Sequence, residues 1–268
     1  MASANNTFKQ ALAEKNPQWG FWLGLTSPYT AEICAGAGFD WLLIDAEHAP
    51  NDVGSVLSQL QAISAYPSHP VVRPVEGSAA TIKQLLDIGV QSLLVPMVES
   101  GEQAQQLVSA CRYPPNGIRG VGTALARAAD WGRKTDYLKT ADNEVCLLLQ
   151  VESAKGLDAL EDIVNTDGVD GVFIGPADLA GSLGYSGQPA HPEVKKVIEK
   201  ALNTIRDAGK AAGILATDIE LARHYQRCGA VFVAVGVDTV MLAQETARLA
   251  AQVKDSVEQP ETKGNGAY

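Results

Sequence analysis

Short apolar runs recur along the chain, and between them apolar residues return every three or four positions. Near-continuous runs of this kind predict strands buried on both faces, and the intervening spacing predicts amphipathic helices. Eight runs stand out, at 20–25, 39–48, 69–74, 92–99, 145–152, 168–178, 210–216 and 230–238. Helices are predicted from Ser27 to about 36, at 52–65, 78–89, up to 111, at 155–163, 192–208 and 219–227, and last up to Val257. Local chemistry agrees: Pro28 suits a helix start, Tyr66-Pro67 a stop, and Gly89 a C-cap. The rhythm breaks at 113–132, a Gly-rich basic stretch with little strand character, which predicts a long functional or mobile loop. Eight strand–helix units in one domain predict an α/β fold of the (β/α)8, or TIM, barrel type over 1–257. The tail at 258–268 is Gly/Pro/polar and predicts disorder. An open doubly wound sheet is the alternative, weakened by the lack of a GxGxxG turn after the first strand.

Composition narrows the function classes. With 268 residues and a net charge of −10, the chain has a surface that repels nucleic acid, and no basic patch with interleaved aromatics offsets it. No apolar run approaches the roughly 20 residues that span a bilayer. The segment MASANNTFKQALAEKN lacks an apolar signal core, so a cytoplasmic location is expected. The four cysteines, Cys34, Cys111, Cys146 and Cys228, are scattered without a CxxC pair and read as reduced.

In such a barrel the active site lies at the C-terminal ends of the strands. The fifth run ends in Gln150-Val151-Glu152, with Gln150 and Glu152 projecting to one side, and the sixth ends in Gly175-Pro176-Ala177-Asp178. Two converging carboxylates, Glu152 and Asp178, suit a hard divalent cation such as Mg²⁺, Mn²⁺ or Co²⁺. The competing reading is that both acids cap the helices that follow. The second run supplies Asp45, Glu47 and His48, the third Arg73, the eighth Asp238, while Trp22 of the first could wall the pocket. Arg73 offers a cationic fork for an anionic oxygen, or else a structural ion pair. His48 suits proton transfer near neutral pH. Free N–H groups at the start of the 175–178 turn could hold a carboxylate. His69, His191 and His224 lack acidic neighbours in the sequence and read as structural.

Together, WLLIDAEHAPND (41–52), PVVRP (70–74), IKQLLDIG (82–89), LLVPMVE (93–99), RYPPNGIRGVG (112–122), LLQVES (148–153), GVDGVFIGPADL (168–179), GIL (213–215) and FVAVGVD (232–238) resemble the HpcH/HpaI family of metal-dependent pyruvate aldolases. The likeness runs from Phe8 to Val253. It implies a class II aldol cleavage without a Schiff-base lysine. It also implies that Glu152 and Asp178 ligate the metal. Gln150, Leu215, Trp22 and the backbone N–H groups of Ala177 and Asp178 contact substrate. Arg73 stabilises the enolate, and His48 accepts a proton, with Asp87 raising its basicity and Asp45 orienting it. Glu47 is placed near metal-bound water. The resemblance implies a homo-oligomer, a hexamer, with the C-terminal helix packed on a neighbouring subunit.

The implied substrate is a 4-hydroxy-2-oxo acid, favoured as 4-hydroxy-2-oxoheptanedioate, cleaved to pyruvate and succinic semialdehyde. Arg119 or Arg127 of the long loop could then bind the distal carboxylate. Cleavage of a 2-keto-3-deoxy sugar acid is the runner-up, because the pyruvate half of such a site would be the same. A CoA-dependent lyase is disfavoured, because the chain has no extra basic segment for CoA phosphates. A non-catalytic keto-acid-binding barrel is a reading from another class, and the presence of both Arg73 and His48 argues against it.

Overall fold

The computed structural model describes residues 5–255, so the tail expected at 258–268 lies outside the described residues. Eight parallel strands close into one barrel in chain order: β1 (Gln18–Leu23), β2 (Trp41–Asp45), β3 (His69–Arg73), β4 (Ser92–Val95), β5 (Cys146–Val151), β6 (Gly171–Ile174), β7 (Ala211–Leu215) and β8 (Ala230–Val237), which pairs with β1. The expected TIM barrel is therefore the fold. Helix α1 (Thr7–Ala13) precedes β1, and α2 (Pro28–Ala35), α3 (Val53–Ile63), α4 (Ala79–Asp87) and α5 (Gly101–Cys111) follow the first four strands. Between α5 and β5 come the long loop and a short helix, α6 (Tyr137–Glu144). The remaining helices are α7 (Ala154–Asp158), α8 (Leu160–Val164), α9 (Pro176–Ser182), α10 (Pro192–Asp207), α11 (Ile219–Arg227) and α12 (Asp238–Asp255).

Each crossover helix is started by its own chemistry. The side chains of Ser27, Asp52, Ser78 and Ser100 accept a hydrogen bond from the backbone N–H three residues on, capping α2 to α5. Helix α10 buries Val194, Ile198, Ala201, Leu202 and Ile205, a stripe at helical spacing, and leaves its other face to charge. None of the described helices is long and apolar enough to cross a membrane.

Two apolar layers result. Residues pointing outward from the strands pack against the helices, while Trp22, Trp41, Leu43, Val71, Leu94, Leu148, Phe173 and Phe232 fill the barrel's interior. Gly213 makes room for the Phe232 ring; a Cβ there would occupy the same space. Helix α1 adds Phe8 to this interior, where it stacks on His69 with ring centroids 5.4 Å apart and meets Phe232 edge-on. That N-terminal segment, helical by composition, is thus part of the core.

Several strands are shorter than the apolar runs predict. Each stops where a proline or the site residues begin: β3 before Pro74, β4 before Pro96, and β6 before Gly175-Pro176. Proline has no N–H for the ladder. The helix expected over 155–163 divides into α7 and α8. All four cysteines are free, with Cys111 and Cys146 buried.

Candidate active site

A cavity of about 410 Å³ opens at the C-terminal end of the barrel. Its wall includes Trp22, Asp45, His48, Arg73, Gln150, Glu152, Ala177, Asp178 and Leu215, so most of the expected site residues meet there. No lysine lines it.

One flank is built by β2 and β3. Their register places Asp45 beside Arg73. Arg73 Nε donates to Asp45 Oδ1 at 2.8 Å and Nη2 to Oδ2 at 2.6 Å, a two-pronged pair. Nη1 lies 2.7 Å from Glu47 Oε2, an ion pair without hydrogen-bond alignment. The Trp22 indole N–H donates to Asp45 Oδ2 at 3.2 Å, and the Arg73 guanidinium sits 5.1 Å from that ring's centre. Burial pushes the Asp45 carboxyl up, but the hydrogen bonds and charge of Arg73 outweigh it and hold it below its ordinary value. Glu47 stays raised, chiefly by burial and despite Arg73.

His48 follows at the rim, largely exposed, its Nε2 3.8 Å from Glu47 Oε2. Its backbone N–H reaches Asp45 Oδ1 at 3.5 Å. Asp45 therefore meets the backbone of His48, while its carboxylate is committed to Arg73; the expected orientation of the imidazole by Asp45 is not what the contacts show.

The opposite flank comes from β5 and β6. Glu152 stands one step beyond the last paired residues, Val151 and Ile174. It is 3% exposed. Oε1 accepts from the Met97 N–H at 3.0 Å, and Oε2 from the Gln150 amide. Met97 adopts a φ of 54°, a left-handed turn uncommon outside glycine, and this aims its N–H at the carboxylate. Burial raises the Glu152 carboxyl to about 7; the Gln150 and Met97 hydrogen bonds oppose this, and the charges of Glu47 and Asp178 add to it. Gln150 Oε1 is buried and has no hydrogen-bond partner. Gly175 is required opposite: a Cβ there would collide with Glu152 and Gln150. Helix α9 then starts at Pro176 with no side-chain cap, so the first N–H groups of the helix, Ala177 and Asp178 among them, border the cavity.

This donor set fits a hard cation. Glu152 and Asp178 offer oxygen ligands with no ion-pair partner among the described residues, and the buried Gln150 oxygen and Glu47 lie alongside.

Other expected residues lie elsewhere. Asp87 ends α4, where the chain turns back into the start of β4, at the barrel's opposite end from His48. There Asp87 Oδ1 accepts from Arg119 Nη2 at 2.8 Å. Arg119 is fully buried, 4.4 Å from the Tyr113 ring centre, and Arg127 Nη1 donates to the Ile88 carbonyl at 2.9 Å. Neither arginine lines the cavity, which corrects the expectation that the loop grips a distal carboxylate within the same subunit. Asp238 is structural too, accepting from the Gly24 and Leu25 N–H groups at 2.7 and 3.1 Å. The Met97 N–H, and Phe173, Val237 and Thr239 of the wall, escape sequence reasoning because they belong to runs that look like ordinary core or turn.

Comparison with known proteins accords with this geometry. Residues 18–244 match the family described as HpcH/HpaI aldolase/citrate lyase. A hydroxypyruvate/pyruvate aldolase of Deinococcus radiodurans is 62% identical over 267 residues, covering 98% of this chain and 96% of that protein. A 4-hydroxy-2-oxo-heptane-1,7-dioate aldolase of Escherichia coli is 57% identical over 247 residues, covering 92% and 94%. The crystal structure of an HpcH/HpaI aldolase/citrate lyase family protein from Burkholderia cenocepacia J2315 superposes with a TM-score of 0.89 at 42% identity, over 93% of this chain and all of that one.

Proposed function

The chain belongs to the HpcH/HpaI aldolase/citrate lyase family, a family of metal-dependent aldolases, and from that premise we propose how its pocket works and on what. It is a class II pyruvate aldolase, a carbon–carbon lyase. The proposed reaction is reversible cleavage of a 4-hydroxy-2-oxo acid to a pyruvate-type keto acid and an aldehyde. The observation that carries it is the pairing, in one cavity, of a fixed arginine with two carboxylates, buried Glu152 and exposed Asp178, that have no ion-pair partner among the described residues.

Glu152 and Asp178 hold a divalent ion, which when bound supplies Lewis-acid polarisation of the keto group. The N–H groups of Ala177 and Asp178 hold the keto-acid carboxylate at the start of α9. Arg73, held by Asp45 and Glu47 under Trp22, meets negative charge as it develops on the keto oxygen. His48, exposed at the rim, takes the 4-hydroxyl proton as the C3–C4 bond breaks, and proton return to C3 completes the product. Asp87 can tune a His48 only across a subunit boundary, since the two stand at opposite ends of one barrel. A homo-oligomer, a hexamer by resemblance, would supply that boundary. Exposed Val240, Met241, Leu242 and Leu249 on α12 suit packing against a neighbouring subunit.

Two features bear on the substrate. Gln150 Oε1, buried and unpartnered, is placed to accept from a donor hydroxyl, which supports hydroxypyruvate beside pyruvate as the keto acid. On the acceptor side, Leu215 and Val237 are apolar, and the pocket's arginine is already paired, which supports an uncharged aldehyde. The Escherichia coli relative, by its name, favours a second reading, in which the substrate is 4-hydroxy-2-oxoheptanedioate and the aldehyde succinic semialdehyde.

Rates of aldol formation test these readings, with pyruvate or hydroxypyruvate as donor and glycolaldehyde or succinic semialdehyde as acceptor. They are measured after EDTA treatment and after Mg²⁺, Mn²⁺ or Co²⁺ is restored. Activity should vanish with the metal and return with it. A higher kcat/KM for glycolaldehyde supports the uncharged acceptor. A higher value for succinic semialdehyde moves the enzyme to the second reading. Full activity without metal would overturn the role of Glu152 and Asp178.

A further inference from the structure

His224, which reads as structural in the sequence, has two ligand-type neighbours in the fold. It lies in the last turn of α11, and Cys228 is the cap residue of that helix four positions on, so both face one side. Glu199 faces them from α10. His224 Nε2 lies 2.7 Å from Glu199 Oε1 and 3.7 Å from Cys228 Sγ. Ligand atoms of all three fall within 4.8 Å of one another. All three residues are half-buried, which leaves the cluster open to solvent.

We propose that Glu199, His224 and Cys228 form a second metal site, for Zn²⁺ or another thiophilic divalent ion, tying α10 to α11. Tetrahedral Zn²⁺ holds its N, O and S ligands at such lengths that they stand roughly 3.3–3.6 Å apart. The Sγ–Nε2 distance is already close to that span. The Glu199–His224 contact opens by about half an ångström as the ion replaces the shared proton. One thiolate and one carboxylate balance a +2 charge, and water completes the set. The donors differ in kind from those at the barrel mouth: sulfur, nitrogen and oxygen favour Zn²⁺, whereas all-oxygen sets favour Mg²⁺ or Mn²⁺. The positions differ as well. Helix α11 ends where β8 begins, so the cluster sits toward the end of the barrel away from the catalytic cavity. Without an ion, burial and then the Glu199 charge raise the Cys228 thiol, opposed more weakly by Arg227 and Arg206.

Because no cysteine lines the mouth, a thiolate-to-metal charge-transfer band distinguishes this site from the catalytic cavity. Anaerobic Co²⁺ titration of the metal-stripped enzyme should produce that near-ultraviolet band within the first two equivalents, and Zn²⁺ should abolish it. Cys228→Ser and His224→Asn should each remove the band, while Cys34→Ser, at the other half-buried thiol, should keep it. Glu199→Gln should weaken Zn²⁺ binding by at least the roughly tenfold that loss of a supporting partner costs a metal site. With Mg²⁺ in excess to fill the catalytic cavity, low Zn²⁺ should raise the melting temperature of the wild type and not that of Cys228→Ser. Both lesions are used so that one misfolded variant, recognised by its melting without metal, does not decide the outcome. Absence of the band at saturating Co²⁺ in the wild type, or its survival in Cys228→Ser, would overturn the proposal.

Discussion

The two flanks of the catalytic cavity use the same residue types to opposite ends. On the β2–β3 side, Asp45 and Glu47 share Arg73, and the Asp45 carboxyl is held below its ordinary value. On the β5–β6 side, Glu152 and Asp178 share no cation among the described residues, and Glu152 is raised to about 7. Burial acts on both flanks; what differs is the guanidinium. The first flank is electrostatically finished and serves to aim a side chain. The second is unfinished in a way that only a cation corrects. The unpaired acids are the ones to which the proposed metal is assigned.

Removing Arg73 should break the contrast most severely. Arg73→Ala leaves Asp45 and Glu47 buried without compensation, with an expected loss of about 3–5 kcal/mol in stability. Loss of its contact with developing charge should lower kcat by roughly 10²–10³-fold. Thermal melting and pyruvate release measure the two effects. A variant that melts with the wild type would mean that the first flank is not held by this pair.

The second flank can be probed by pH. The folded Glu152 carboxyl lies at about 7 against an ordinary 4.5. Below the ordinary value both folded and unfolded chains carry the proton, and stability is unaffected. Between the two values the unfolded chain ionises first, so stability falls as pH rises, by about 3 kcal/mol in all once both forms are ionised. Urea unfolding in EDTA across this window should show a steeper decline in the wild type than in Glu152→Gln, where the raised Glu47 still contributes. Divalent metal should restore stability above pH 7 in the wild type alone. A flat wild-type profile would show that Glu152 carries no unmet charge.

The smallest effect should come from Trp22→Phe. It removes one hydrogen bond to Asp45 and weakens the ring contact with Arg73. The expected change is about 1 kcal/mol, a severalfold fall in kcat with metal affinity intact. A large change in metal affinity would mean that the two flanks are coupled.

The barrel and most of this pocket are legible in the sequence because eight apolar runs end in polar residues, and closing the barrel collects those ends. What the sequence hides is pairing. Asp45 reads as a partner for His48, three residues away along the chain, yet the β2–β3 register sets it beside Arg73 instead. Strand ends are hidden for a related reason: Pro74, Pro96 and Pro176 stop the ladders while the apolar runs continue. Asp87 and Arg119 sit in motifs that resemble a family's site and Arg127 in the loop that follows, but the chain returns all three to the barrel's far end. Helix α6 escapes notice because only Tyr137 and Ala141, one turn apart, are buried on it, too little for an apolar stripe.

The filled interior of the barrel has a kinetic consequence. Trp22 and Phe173 tilt against each other 5.7 Å apart, with Trp41, Phe232 and Phe8 stacked behind them. Beneath the cavity these rings, with Leu43, Val71, Leu94 and Leu148, form a packed floor. A two-product reaction in a room with a single doorway has an order of traffic: whatever stands nearer the threshold must leave first. With the keto acid held against the floor, the aldehyde departs before it on cleavage and arrives after it on synthesis.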